Sequence, residues 1–133
     1  METLTKVLCV NDSEISSLIM KTLISKTAFA EEVINVYNGQ EALDYYLKLT
    51  ETPSEIPSAP DLILLDIEMP EMDGWEFLDH FTQSFLPLFP NTKVVITSFS
   101  VDDKDFERAK QYSCVIDFLN TPITAGYLEN LHL

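Results

Sequence analysis

The chain has 133 residues, and its hydrophobic content of 46% fits one globular domain with a buried core and excludes a disordered chain. It contains 22 acidic and 8 basic residues, and a surface with a net charge of −14 repels phosphate backbones and anionic lipids, so we expect neither nucleic-acid nor membrane binding. The two cysteines form no C-x-x-C pair, and the chain has neither a signal-peptide pattern nor an apolar run long enough to cross a bilayer, which together predict a reduced, cytoplasmic protein.

Strand-like apolar runs alternate with helical patterns along the chain. The predicted strands cover residues 6–10, 32–37, 62–66, 93–97 and 115–119. The first helix follows the first strand and has its N-cap at Asp12 or Ser13. The residues that recur at helical spacing in it are Ile15, Leu18, Ile19, Thr22 and Leu23. The second helix begins with a capping box at 38–41, and its apolar face consists of Ala42, Leu43, Tyr46 and Leu47.

The second half of the chain continues the alternation. Residues 50–60 contain three prolines and predict a stiff surface loop. The third helix begins near Trp75, and its apolar positions are Trp75, Phe77, Leu78 and Phe81. A fourth helix is predicted over about 102–112, and a short last helix runs from Ala125, capped by Thr124. The alternation predicts a flavodoxin-like, doubly wound α/β fold, (βα)5, with a central five-stranded parallel sheet in the order 2-1-3-4-5, as a single domain over residues 1–133.

Asp66 is the most informative residue because it ends the most apolar strand, at 62–66. An unpaired charge is costly inside a strand, whereas a carboxylate at the end of a strand reaches water, metal or substrate at the edge of the sheet. Asp12 follows the first predicted strand, Thr97 ends the fourth, and Thr121 lies just past the fifth. In a parallel sheet all of these strand ends lie on one edge, which is where such folds place their chemistry.

Two neighbouring carboxylates, Asp12 and Asp66, repel each other unless a cation lies between them. Mg²⁺ takes one or two carboxylates and keeps several waters, so it fits this pair, and Asp66 is then placed to attack phosphorus while Thr97 donates to a phosphoryl oxygen. Structural roles compete with this interpretation. Asp12 is equally suited to cap the first helix, and Asp73 is better placed as a cap or turn residue than as a ligand. A hydrogen bond from the Thr97 hydroxyl to the backbone is the structural alternative for that residue.

The segment 61–74, DLILLDIEMPEMDG, is similar almost letter for letter to the phosphorylation loop of response regulator receiver domains, the CheY-like superfamily of two-component signal transduction. The resemblance extends from Lys6 to Leu131. It implies that Asp66 accepts a phosphoryl group from a histidine kinase or a phosphotransfer protein. It also implies that Asp12, Asp66 and the backbone carbonyl of Glu68 bind Mg²⁺.

The resemblance also assigns a switch to two residues. Thr97 corresponds to the family's switch hydroxyl, and Phe118 occupies its switch aromatic position. Phosphorylation in the family remodels the face formed by the fourth helix, fifth strand and fifth helix. We therefore expect an output partner protein on that face, and homodimerisation through it is open. The acidic surface suits a basic partner.

Two positions depart from the family pattern. Asn11 stands where the family has an acid, and its amide binds the metal only through water. Thr121 stands where the family has a nearly obligatory lysine, so the pocket loses the cation that pairs with the acceptor. Lys104 is one candidate to replace that cation. The family's cis bond before the following proline corresponds here to Thr121–Pro122.

Two other functions compete with the phosphorylation-dependent receiver. A degenerate receiver, acting as a phosphorylation-independent interaction module, is favoured by Thr121 and Asn11 and opposed by the retained Asp12, Asp66 and Thr97. A small phosphatase of the haloacid-dehalogenase class would need an aspartate at the position of Glu68, together with a cap and a lysine for which 133 residues leave no clear place. We therefore expect a signalling protein and not an enzyme.

Overall fold

A computed structural model of the protein, which describes residues 3–70, 72–100, 102–131 and 133, contains one parallel sheet in the order β2-β1-β3-β4-β5. The strands are β1 Leu4–Val10, β2 Ala30–Val36, β3 Leu62–Asp66, β4 Lys93–Ser98 and β5 Val115–Asn120. The helices are α1 Glu14–Thr27, α2 Gly39–Glu51, α3 Gly74–Ser84, α4 Asp103–Ala109 and α5 Ala125–Asn130. The predicted fold class and strand order are confirmed.

The sheet separates two apolar cores. Residues of α2 and α3 and Ala109 of α4 pack on one face, around the fully buried Tyr46 and Phe81. On the other face, Ile24 of α1 and Leu128 of α5 pack against the strands. Helices therefore cover both faces, as a doubly wound sheet requires, and the carboxyl edge of the strands stays open between the helix N-termini.

Local capping signals largely place the helix N-termini. Ser13, and not Asp12, caps α1, because its Oγ accepts the Ser16 N–H at 3.1 Å. Asn38 caps α2 and Thr124 caps α5, each through its side-chain oxygen, as the sequence predicts. Because Ser13 already caps α1, the carboxylate of Asp12 is left exposed at the edge of the sheet.

β1 and β2 each begin two residues earlier than predicted, and two other segments depart further from the prediction. The segment 50–60 is not simply a loop: α2 continues to Glu51, and a 3₁₀ helix follows at Pro53–Ser58. The fourth helix ends at Ala109, three residues earlier than predicted. The Gln111 and Tyr112 N–H groups donate to carbonyls three residues back, which tightens the last turn and brings the chain into β5.

An apolar stripe of α1, formed by Ile15, Leu18 and Ile19, faces solvent, although helical spacing of this kind is typical of a face that packs in a core. Ile15, Leu18 and Ile19 are 74%, 65% and 59% exposed, whereas the buried residues of the helix are Ser17 and Ile24. Ser17 and Ile24 lie two turns apart and share the face toward the sheet, which leaves most of the surface of Ile15, Leu18 and Ile19 outside the core. Leu47, which shares the predicted apolar face of α2, is half exposed as well.

The two cysteines are free, buried thiols, as predicted. Cys9 packs in the α1–α5 core and Cys114 in the other, so the sheet separates them. Burial raises the pKa of Cys9 to about 12, which leaves it unreactive at neutral pH. Within the described residues, no helix is both long enough and apolar enough to span a bilayer.

Candidate functional site

The predicted strand-end residues meet at one edge of the sheet. Asp66 is the last residue of β3 and lies beside Thr97 of β4 in the strand register. Asn11, directly after β1, and Thr121, directly after β5, line the same cavity as these two residues. The side chain of Asp66 is only 5% exposed, so a partly desolvated carboxylate lies at the centre of the site.

Few interactions stabilise the charged form of the Asp66 carboxylate. Burial, together with the nearby charges of Glu68 and Asp12, raises its pKa to about 6. The Glu68 backbone N–H, which donates to Oδ1 of Asp66 at 3.1 Å, acts in the opposite direction. A carboxylate in this state gains stability from any cation that approaches it.

The donor set fits a small, hard cation such as Mg²⁺. Asp12 lies close enough to Asp66 for its charge to raise that pKa, and it has no competing role as a helix cap. The Asn11 side-chain oxygen accepts the Ser13 N–H at 2.9 Å, which ties the amide to the turn before α1. Among the described residues no cluster of three or more His, Cys, Asp or Glu side chains is found, so a cation would rely on two carboxylates, backbone oxygen and water.

Glu68 has a structural role that the sequence analysis missed. Its Oε1 accepts the Ser98 hydroxyl and the Phe99 backbone N–H, each at 2.7 Å. These hydrogen bonds connect the loop that follows Asp66 to the end of β4. The sequence offered only a weak hint: Glu68 and Ser98 follow Asp66 and Thr97 by two and one positions, but the register that pairs Asp66 with Thr97 is seen only in the fold.

The loop after Asp66 is closed by Gly74. The Gly74 N–H donates to the Ile67 carbonyl at 3.0 Å, and Asp73 caps α3, as the sequence indicated. A Cβ at Gly74 would lie 2.8 Å from the Ile67 Cα and 3.0 Å from the Asp66 carbonyl oxygen. Only glycine allows α3 to begin this close to the acceptor strand.

We expect Gly74→Ala to destabilise the domain by about 1 kcal/mol and to weaken Mg²⁺ binding several-fold, because the loop that positions Asp66 must move. Gly126→Ala is the matched control, since its Cβ meets nothing closer than Thr124 Oγ1 at 3.9 Å. Urea unfolding and a Mg²⁺ titration of intrinsic fluorescence measure both effects. Equal Mg²⁺ affinity in the two variants would contradict this account of the loop.

Thr97 and Thr121 leave their side of the acceptor without charge. The Thr97 hydroxyl donates a long hydrogen bond of 3.4 Å to the Leu65 carbonyl. The Thr121 backbone N–H donates to the Ser98 carbonyl at 3.0 Å. The Thr121–Pro122 bond is cis, as the resemblance implied. Lys104, considered as a replacement cation, instead lines a surface depression on α4 with Glu107 and Arg108. The described residues that line the cavity beside Asp66 do not include Lys104, which gives the replacement idea no support.

Phe118 lies in the core. It is buried on β5, with its ring 6.3 Å from the Trp75 ring of α3 and 6.3 Å from the Phe106 ring of α4. Phe106 is itself partly exposed on the outer surface. The register places Phe118 beside Ile96, one residue before Thr97. Phe118 therefore lies between β4, one residue before Thr97, and Phe106 on the surface of α4.

Comparisons with known proteins agree with this geometry. Residues 7–131 match the response regulator receiver domain family. The chain is 29% identical to the chemotaxis protein CheY of Thermotoga maritima, over 70% of this chain and 66% of that protein. It is 27% identical to a protein-glutamate methylesterase/protein-glutamine glutaminase of Sulfurimonas denitrificans, over 88% of this chain and 30% of that protein. This chain therefore spans only about a third of that relative's length.

Among solved structures, a two component response regulator from Cytophaga hutchinsonii superposes with a TM-score of 0.85 at 32% identity, covering 97% of this chain and 94% of that one. The fold and the acidic site define a receiver of the CheY-like class. The chain belongs to the response regulator receiver domain family, whose members work in phosphorylation-based two-component signalling and are typically regulatory and not enzymatic.

Proposed function

We propose that this chain is a phosphorylation-dependent signalling receiver that accepts a phosphoryl group on Asp66. A side-chain oxygen of Asp66 attacks phosphorus, the bond from phosphorus to the donor histidine breaks, and its electron pair returns to the imidazole. The donor is a histidine kinase or a phosphotransfer protein. The observation that supports this best is the buried Asp66 at the end of β3, next to the Thr97 hydroxyl.

Mg²⁺ is part of the proposal. Asp12, Asp66 and the backbone carbonyl of Glu68 would hold it directly, and Asn11 would contact it through water. When bound, the metal neutralises charge on the transferring phosphoryl oxygens. With an amide at 11 in place of an acid, the site has one fewer negative charge, so we expect modestly weaker binding than a site with three carboxylates.

Phe118 is the residue through which we expect phosphorylation of Asp66 to change the surface of the domain. A phosphoryl group on Asp66 gives the Thr97 hydroxyl a stronger acceptor than the 3.4 Å bond it now makes to the Leu65 carbonyl. Movement of Thr97 shifts β4 against Phe118, and Phe118 contacts Phe106 on α4. We propose that a partner protein, or a second copy of the chain, reads the resulting change on the face formed by α4, β5 and α5.

A second candidate function is a phosphorylation-independent interaction module built on the same domain. It is favoured by one observation: Thr121 supplies no cation to Asp66, and the causes that hold the pKa of Asp66 near 6 include no positive charge. In that case the domain would bind its partner in the same way whether or not Asp66 is intact.

The deciding experiment is intact-mass analysis after incubation with Mg²⁺ and acetyl phosphate, with Asp66→Asn as the control. We expect the wild type to gain the mass of one phosphoryl group and the control to gain none. A folded, Mg²⁺-binding sample that gains nothing, from acetyl phosphate or from a phosphorylated histidine phosphotransfer protein, would favour the second candidate.

The exposed stripe of α1 leads to a prediction about the donor. Asp66 is nearly buried, so a donor histidine reaches it only if the donor covers the surrounding surface. Ile19 and Phe99 line the cavity beside Asp66, and both are more than half exposed. Exposed apolar patches of this kind are typical of protein interfaces.

We therefore expect Leu18→Glu to reduce kcat/KM for phosphotransfer from a histidine donor protein by about tenfold or more, which corresponds to about 1.4 kcal/mol of lost binding. Acetyl phosphate contacts none of this surface, so its rate should not change. Leu47→Glu, at a half-exposed leucine on α2, is the matched control. Wild-type transfer to the Leu18→Glu variant would show that the donor approaches elsewhere.

A further inference from the structure

A small cavity lies next to Asp66, between the sheet and α1. Its volume is about 110 Å³, and its walls come from β1, α1, β3, β4 and the chain after β5. A single water needs roughly 10–15 Å³ of such space. The cavity therefore has room for a chain of several heavy atoms.

The polar part of the wall is rich in oxygen. It includes the carboxylate of Asp66 and the hydroxyls of Ser17, Thr97 and Thr121. Ser17 is 4% exposed, and its Oγ has no hydrogen-bond partner among the described residues. A buried hydroxyl without a partner is uncommon in folded proteins, and the oxygen of Ser17 is able to accept a hydrogen bond from a ligand.

The rest of the wall is apolar. Leu64 lies two residues before Asp66 in β3, on the same face of the sheet, and Ile19, Met20 and Ile123 also line the cavity. The carboxylate and hydroxyls thus lie near the strand ends, and the apolar surface continues deeper under α1. A ligand that fits both parts has a polar head and a short aliphatic chain.

The charges around the cavity indicate that its ligand is a cation. The described lining residues contribute one carboxylate and neither lysine nor arginine. The ion pairs of the described part of the chain join Lys6 to Glu32 and Lys110 to Glu107, both away from the cavity. The chain as a whole has a net charge of −14, which concentrates cations around it.

We propose that this cavity binds a primary alkylammonium group. The three N–H donors of the ammonium contact the Asp66 carboxylate and hydroxyls of the wall, including the orphaned Ser17, while the aliphatic chain packs on Leu64 and its neighbours. A free aliphatic amine or the lysine side chain of a docked protein supplies the same chemistry. Binding of this group does not require that Asp66 be phosphorylated.

The test is an NMR titration of the ¹⁵N-labelled domain at neutral pH in EDTA. The probes are n-butylammonium for a free amine and Nα-acetyl-lysine-N-methylamide for a protein lysine. We expect saturable shifts at the backbone N–H groups of Ser17, Thr97 and Thr121. Saturation by n-butylammonium alone assigns the site to free amines, and saturation by both probes extends it to lysine side chains.

Variants and a control cation separate this site from general attraction to an acidic protein. Thr121→Lys places a covalent ammonium in the cavity, and Thr121→Met fills it without charge. Each should weaken n-butylammonium binding by about tenfold or more, and Asp66→Asn should do the same because the counter-charge is gone. Tetramethylammonium has the same charge and no N–H donor, so it should not saturate these shifts.

Three results would overturn the proposal: neither amine saturates, tetramethylammonium shifts the same residues equally, or Asp66→Asn binds n-butylammonium as the wild type does. Loss of binding in a misfolded variant is recognised by its spectrum, and the remaining variants then decide. The phosphorylation assay is independent of this titration, so the two proposals fail or succeed separately.

Discussion

Asp66→Asn is expected to be more stable than the wild type at neutral pH without Mg²⁺, by about 1–2 kcal/mol. The pKa of Asp66 is about 6 in the folded protein and about 3.9 in an unfolded chain. At neutral pH the ionised Asp66 is therefore less favourable in the folded protein than in the unfolded chain, which lowers the free energy of unfolding. This loss of stability is absent below about pH 4, grows between about pH 4 and about pH 6, and is complete above that. Asparagine does not ionise, so the Asp66→Asn variant does not have this loss.

Urea unfolding in EDTA at about pH 8 and about pH 5 measures this effect. The advantage of Asp66→Asn should fall to about half at the lower pH. Taking the difference between the two proteins cancels the titration of the other acids, and stopping at about pH 5 keeps the sample above its isoelectric point of 4.2. Added Mg²⁺ should reduce the advantage, because it stabilises the wild-type carboxylate. An advantage that does not change with pH would mean that ionisation of Asp66 is not its cause.

Phe81→Ala is expected to destabilise the domain by about 3–5 kcal/mol, the largest effect of any change considered. The Phe81 ring is fully buried on α3, 5.0 Å from the Tyr46 ring of α2 and 5.6 Å from the Phe77 ring. Its removal leaves a cavity between two helices and the sheet. For a domain whose total stability is typically 5–15 kcal/mol, this is a large share.

The matched control is Leu18→Ala, which also removes a large apolar side chain from a helix. Because Leu18 is 65% exposed, its truncation should change the free energy of unfolding by less than about 0.5 kcal/mol. Chemical unfolding of the two variants side by side checks both values. A loss at Leu18 comparable to that at Phe81 would mean that something covers the α1 stripe in solution.

The sequence by itself determined the features that depend on neighbouring residues. The alternation of apolar patterns predicted a parallel sheet with helices on both faces, and the strand 62–66 was placed without error. The caps at Asn38, Asp73 and Thr124 were also predictable, because a cap is a bond between residues three apart. The position of Asp66 at a strand end belongs to the same category.

Only the tertiary structure decided which surfaces are covered. The apolar stripe of α1 has good helical spacing, yet the fold buries the opposite side, where Ser17 and Ile24 face the sheet. Burial depends on which elements pack together, and spacing along one helix does not contain that information. The 3₁₀ turn after α2 and the early end of α4 depend in the same way on where the chain must next join the sheet.

The same limit applies to the site. The sequence brought Asn11, Asp66, Thr97 and Thr121 to one edge, since parallel strands share their carboxyl end. It did not show that Glu68 bonds across to Ser98 and Phe99, that Lys104 lies elsewhere, or that a cavity remains beside Asp66. Those facts depend on side-chain directions and on the space left between packed elements, and both are fixed only when the whole chain has folded.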